Sequence, residues 1–210
     1  MTADDMPTVE NRLRRRARQY ADAGLMDAAR IALEALVERV PDDASARMEL
    51  ASVLLAHGQL RAATHQLLQV ALTPASSAEL MVQTVRRLYF NGEILAARAC
   101  LDQLELASDR SAPMLAEQAQ LRWMLGEIPA AMALMDRAIA AGIETLDACY
   151  LYAMLSQYTG NIAQARSVLE ACLHRWPNFA DAAVALANVR KQTPESNDLD
   201  LLREWLCRIP

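Results

Sequence analysis

Three histidines and four cysteines are the residues of this chain suited to metal or thiol chemistry. His57 and His65 flank one short segment, with His174 far away. Two imidazoles are too few for a structural zinc site, which takes about four ligands. Surface or helix-capping roles are expected of all three. Cys100, Cys149, Cys172 and Cys207 are widely spaced. No C-x-x-C pair occurs, so neither a zinc site nor a thioredoxin-type motif is written here. The cysteines stand where Ala or Leu would pack, and free Cys is commonly buried. Cys172 and His174 lie two apart, which on a helix aims them at different faces. The phosphate loop G-x-x-x-x-G-K-[ST], the dinucleotide fingerprint G-x-G-x-x-G, H-E-x-x-H and G-x-S-x-G are all missing from the sequence. The expectation is a chain that is not an enzyme and uses no cofactor and no metal.

Charge narrows the partners. A formal net charge of -5 argues against a general nucleic-acid binder, which needs a basic face. Five arginines do crowd one stretch: Arg12, Arg14, Arg15, Arg16 and Arg18. At 100° per residue they flank an apolar stripe of Leu13, Ala17, Tyr20 and Ala21 on both sides. A solvated helix surface, a site for an acidic peptide or phosphate, and nuclear import or nucleic-acid binding all remain open for them. The acidic start, Met1-Thr2-Ala3-Asp4-Asp5, precedes no apolar stretch of the kind a secretory signal has. No run approaches the roughly 18 apolar residues of a membrane span. A cytoplasmic location and no membrane partner are the expectation.

Positioning elements come from a turn written five times. Gly24, Gly58, Gly92, Gly126 and Gly160 stand at a constant interval of 34 residues. Two residues after each comes Met26, Leu60, Ile94, Ile128 or Ile162, placed to pack back over the turn. Five after each is alanine: Ala29, Ala63, Ala97, Ala131 and Ala165. Seven before each the residue is again small: Ala17, Ala51, Val85, Ala119 and Ala153. Small residues at matched slots let two antiparallel helices approach closely. Nine after come the expected core residues Leu33, Leu67, Leu101, Met135 and Leu169. The pattern predicts first helices (A) over 11–23, 45–57, 79–91, 113–125 and 147–159. Second helices (B) are predicted over 27–40, 61–73, 95–107, 129–141 and 163–175. Pro41, Pro74 and Pro177 break the chain after three of them.

A sixth helix A is predicted over 179–191. Pro194 stands where a sixth glycine would fall, inside the breaker Thr193-Pro194-Glu195-Ser196-Asn197. Leu199, Leu202, Trp205, Leu206 and Ile209 then suit a short amphipathic helix capping the apolar end of the array. Residues 1–8 are expected to be a flexible tail, 9–192 the repeat array, and 193–210 the breaker and cap.

The Gly-x-apolar-x-x-Ala turns, the 34-residue step, Pro41 and Pro177 resemble the tetratricopeptide repeat (TPR) family. The resemblance implies an all-α, right-handed α-solenoid of five helix-turn-helix TPR units, a sixth helix A and a C-terminal capping helix. It departs in the first half of each unit. Four before the glycine stand Tyr20, Leu54, Leu88, Arg122 and Ser156, and the last two are poor core residues. Repeats four and five are therefore expected to pack less regularly. A second resemblance, over Trp176–Ala182, Lys191–Glu195 and Leu199–Leu202, is to the junction of bacterial TPR–sulfotransferase fusions.

Family geometry implies a concave groove lined by the A helices, for a protein or peptide ligand. It places the residues ten, six, three and two before each glycine in that groove. Candidate partner-binding residues are then Arg14, Arg18, Arg86, Tyr89, Phe90, Gln120, Trp123, Tyr150, Met154 and Tyr158. Arginines would meet acidic groups, and the aromatics would be anchors, Trp123 foremost. Part of this aromatic set must instead be core between neighbouring repeats. The chaperone-binding carboxylate clamp lacks its asparagines here. The expected function is a non-catalytic scaffold or adaptor. The alternative is a substrate-positioning module for a sulfotransferase-type catalytic domain.

Overall fold

The computed structural model describes residues 8–73, 77–107 and 110–189, together with 193, 197, 199, 200 and 203. It is all-α, and the chain divides into two compact units, 1–108 and 109–210. The first holds α1 (Val9–Asp22), α2 (Met26–Arg39), α3 (Ala44–Ala56), α4 (Leu60–Ala71), α5 (Ala78–Phe90) and α6 (Ile94–Ala107). The second holds α7 (Ala112–Met124), α8 (Ile128–Ala140), α9 (Leu146–Tyr158), α10 (Ile162–Arg175) and α11 (Ala180–Val189). Odd and even helices pair as hairpins. Within the first unit α2 packs on α3 and α4 on α5; within the second α8 packs on α9 and α10 on α11. The capping helix expected over 199–209 lies largely outside the described residues, as does the tail over 1–7.

Each hairpin turn is closed by the same pair of hydrogen bonds. In the fourth, Gly126 N–H donates to the Trp123 carbonyl and Glu127 N–H to the Arg122 carbonyl, both at 2.9 Å. This Schellman arrangement needs a left-handed residue at its centre, and Gly126 has φ +77°. Gly142 (φ +87°) ends α8 the same way, where other repeats use proline. A Cβ on Gly126 would meet nothing within 4 Å, so its substitution is opposed by backbone strain alone. Gly126→Ala is expected to cost about 1 kcal/mol and Gly126→Val more, with Gly126→Asn the mildest. Chemical denaturation of the three variants checks that order.

At the other end, A helices start on a capping residue fifteen before the glycine. Asp43, Ser77 and Thr145 each accept a hydrogen bond from the backbone N–H three residues on, satisfying a donor the helix leaves open. Thr8 does the same for α1, so that helix begins at Val9 rather than at the predicted residue 11.

The small slots carry the packing. Ala29, Ala63, Ala97, Ala131 and Ala165 are all fully buried, and so are the small residues facing them on the A helices. Leu33, Leu67, Leu101, Met135 and Leu169 fill the spaces between. Each such side chain contributes about 1.5–3 kcal/mol by leaving water. Arg122 and Ser156, poor core residues by type, are buried nonetheless. Arg122 Nη1 lies 2.6 Å from Glu127 Oε2 across the turn, and the Ser156 hydroxyl donates to the Tyr152 carbonyl at 2.8 Å. Polar satisfaction keeps these two turns in the same register as the rest. The residue after each turn is less buried than expected: Leu60 and Ile162 are exposed, because each begins helix B instead of folding back over the turn.

Candidate functional site

The second unit contains a cleft of about 530 Å³ between two A-type helices, α9 and α11. From α9 it is lined by Tyr150, Met154, Gln157 and Tyr158. These are the residues ten, six, three and two before Gly160, so all four slots of that repeat converge. From α11 come Asp181, Val184 and Asn188. The floor is built into the core. Tyr150 and Met154 pack on the cluster of Ala153, Leu169, Cys172, Ala182 and Leu186, and the Tyr150 ring meets Phe179 edge-on at 5.3 Å. Burial raises the Tyr150 pKa, and Asp181 and Tyr158 nearby push it the same way, so the phenol stays protonated at neutral pH. Tyr158 is 62% exposed and stands at the rim. The cleft thus offers apolar walls, two amide side chains and one carboxylate.

The other candidates of this unit do not join it. Gln120 is half-buried, and Trp123 packs against the core formed by α7, α8 and α9. Trp123 is therefore part of the interior wall, and its truncation would disturb packing.

In the first unit the arginines behave differently from expectation. Arg14 pairs with Asp43, and it lies 3.4 Å from Glu49, which Arg18 also contacts at 3.1 Å. Both side chains reach to the next A helix. Tyr89 and Phe90 stack edge-on at 5.4 Å; Tyr89 is half-buried and Phe90 exposed. Arg86 is half-buried in the same helix. A second cleft, of about 370 Å³, runs between α3 and α5, with Met48 and Ser52 facing Gln83 and Arg87.

Residues 14–79 match the family model described as tetratricopeptide repeat. The helix pairs of the chain have the fold of tetratricopeptide repeats. A tetratricopeptide repeat protein from Parabacteroides merdae superposes with a TM-score of 0.70 at 15% identity, covering 86% of this chain and 72% of that one. YrrB, described as a TPR protein with an unusual peptide-binding site, gives 0.64 at 14% identity over 80% of this chain and 87% of its own. MamA from Desulfovibrio magneticus RS-1 gives 0.64 at 11%, covering 83% and 99%. These likenesses are likenesses of fold. A search of curated proteins finds no match.

The repeat frame explains the crowded arginines of α1. In the fifth repeat the residues twelve, nine and five before the glycine are Ala148, Leu151 and Leu155, all in the core shared with α7 and α8, and Tyr152 packs on it. The same slots in the first repeat hold Arg12, Arg15, Arg16 and Gln19, all exposed. The face that packs on the preceding unit in the fifth repeat is polar and exposed in the first.

Cys100 and Cys172 are buried and Cys149 is half-buried, while Cys207 lies outside the described residues. His57 caps α3 and lies 3.7 Å from Asp27; His65 and His174 are exposed. Burial pushes the Cys100 thiol up to about 11 and raises Cys149 and Cys172, so these thiols are poor nucleophiles at neutral pH. Among the described residues no three His, Cys, Asp or Glu are grouped to hold a metal, and no helix is long and apolar enough to cross a membrane.

Proposed function

We propose that this chain is a non-catalytic tetratricopeptide scaffold that binds a segment of a partner protein in the α9–α11 cleft. One observation carries the reading: four ligand-facing slots of one repeat converge with α11 on a single cleft of about 530 Å³. An apolar side chain of the segment would rest between Met154 and Val184. Gln157 and Asn188 would bond its backbone, and a basic neighbour would meet Asp181. The peptide-binding description of YrrB supports the class of ligand, on the same fold.

Tyr158 is the residue to test, because it lines the cleft and is mostly exposed. Peptides selected from a displayed random library against the full chain supply the ligand. Tyr158→Ala should weaken the selected peptide about tenfold or more, a common loss for a tyrosine anchor, with the melting temperature unchanged. Equal affinity of the two proteins would remove the cleft from consideration.

A further inference from the structure

The outer stripe of α1 carries three arginines to which the described residues supply no counter-charge. Arg12, Arg15, Arg16 and Gln19 fall within about 100° of one another around the helix, and all four are exposed. Arg14 and Arg18 point the other way, to Asp43 and Glu49. Arg12, Arg15 and Arg16 enter no ion pair or side-chain hydrogen bond among the described residues. Of the acids on α1 itself, Glu10 is turned to Arg39, and Asp22 stands at the far end of the helix. Like charges three and four residues apart weaken a helix. Arg12 beside Arg15 and Arg16 is thus a cost that an acidic partner would remove.

The repeats show what kind of partner this face takes. Its equivalents in the fifth repeat, Ala148, Leu151, Tyr152 and Leu155, pack on α7 and α8, so there the face receives helices. In the first repeat a covering helix must bring carboxylates. Glutamates at i, i+3, i+4 and i+7 of a helix stand about 5–6 Å apart, as these arginines do. Two other anionic partners fit less well. Three guanidiniums would neutralise about three phosphates, against about six to ten in a strongly salt-sensitive nucleic-acid contact, and the net charge of -5 opposes a polyanion. A lipid surface takes bulky apolar side chains beside the basic ones; Val9, 37% exposed, is what α1 offers there.

We propose that the outer face of α1 docks an acidic helix of a partner protein, whose carboxylates pair with Arg12, Arg15 and Arg16 while Gln19 bonds beside them. The site is separate from the α9–α11 cleft and does not depend on it.

The test follows the arginine Nε–H resonances of the full-length, nitrogen-labelled chain at low salt. The probe is the helical peptide acetyl-Ser-Ala-Ala-Glu-Ala-Ala-Glu-Glu-Ala-Ala-Glu-Ala-Ala-Ala-Lys-amide. Its companions are the Gln counterpart, an isomer with the glutamates spread round the helix, an oligothymidylate and phosphatidylserine vesicles. Saturable shifts of Arg12, Arg15 and Arg16 are expected with the first peptide. The Gln counterpart should bind about tenfold more weakly, the loss of three exposed pairs, and the isomer more weakly than the parent. Arg12→Glu with Arg15→Glu and Arg16→Glu should lose the peptide and gain the one with Lys in place of each Glu. Asp4→Asn with Asp5→Asn should leave the affinity within about twofold. Equal binding of the Glu and Gln peptides, or of the parent and its isomer, overturns the proposal. So does the lack of a saturable shift at about 1 mM peptide, the weak end of recognition. Tighter binding of the oligonucleotide or the vesicles overturns it in favour of that partner, and a gain of about tenfold or more on removing Asp4 and Asp5 means that those acids already occupy the stripe. These outcomes are read on chains that keep the native arginines, whatever the stability of the reversed variant.

Discussion

Leu155→Ala should lower the stability of the 109–210 unit by about 2–5 kcal/mol, the loss seen when a buried leucine leaves a cavity. Leu155 is fully buried at the centre of a cluster that joins three helices. Leu115 and Ala119 reach it from α7, Ala131 and Met135 from α8, and Ala148 and Leu151 from α9 itself. The methyl groups removed are therefore interface between the fourth repeat and the fifth. In an array whose stability is a sum of units and nearest-neighbour contacts, weakening that interface uncouples the two repeats. A biphasic or broadened denaturation curve should accompany the lower midpoint. Leu155→Met, which nearly conserves volume, should cost less than about 1.5 kcal/mol. If Leu155→Ala cost no more than an exposed substitution, the α8–α9 packing described above would be wrong. Trp123 sits on the edge of the same cluster. Its truncation would mix a packing loss with any loss of binding, which is why the exposed Tyr158 is the cleaner probe of the cleft.

The fold was legible because the five turns share one chemistry. A glycine that must be left-handed and an alanine that must be small leave little freedom, and both recur at a fixed step. Boundaries came out about one residue late for a physical reason. Residues such as Ala23, His57 and Thr159, predicted as the last of their helices, are the caps before the left-handed glycine. Met26, Leu60 and Ile162, expected to fold back, are already the first turn of helix B. The fifth-repeat groove was legible because its slots hold bulky, uncharged side chains that stay beside their own helix. The first-repeat groove was not. Arginine is long, and the acids that meet Arg14 and Arg18 lie about one repeat away at Asp43 and Glu49. Glu49, one residue past the place of Arg14 in the next repeat, was a readable signal.

Arg122→Ala should destabilise the second unit by about 3 kcal/mol, and the route to recovery tests why. The Arg122 and Glu127 side chains are only 10% and 22% exposed, and they meet at 2.6 Å across the turn at Gly126. Removing one partner of such a pair leaves the other charge poorly solvated, which typically costs about 3–5 kcal/mol in fully buried cases; the residual exposure of Glu127 sets the lower figure. In the second and third repeats the same slot is leucine, and both Leu54 and Leu88 are buried. The slot after the glycine in the second repeat is Gln59. Arg122→Leu alone fills the volume but takes the guanidinium away from Glu127. Arg122→Leu with Glu127→Gln copies the second repeat at both slots and should regain wild-type stability or exceed it, since apolar replacements of buried pairs are often neutral or stabilising. A double-mutant cycle by denaturant unfolding separates the outcomes. Recovery in the double variant means that the arginine is a polar substitute for an ordinary core leucine. Failure to recover would mean that the ion pair itself holds the turn, and that the fourth repeat departs from its neighbours in the physics of its turn as well as in its sequence.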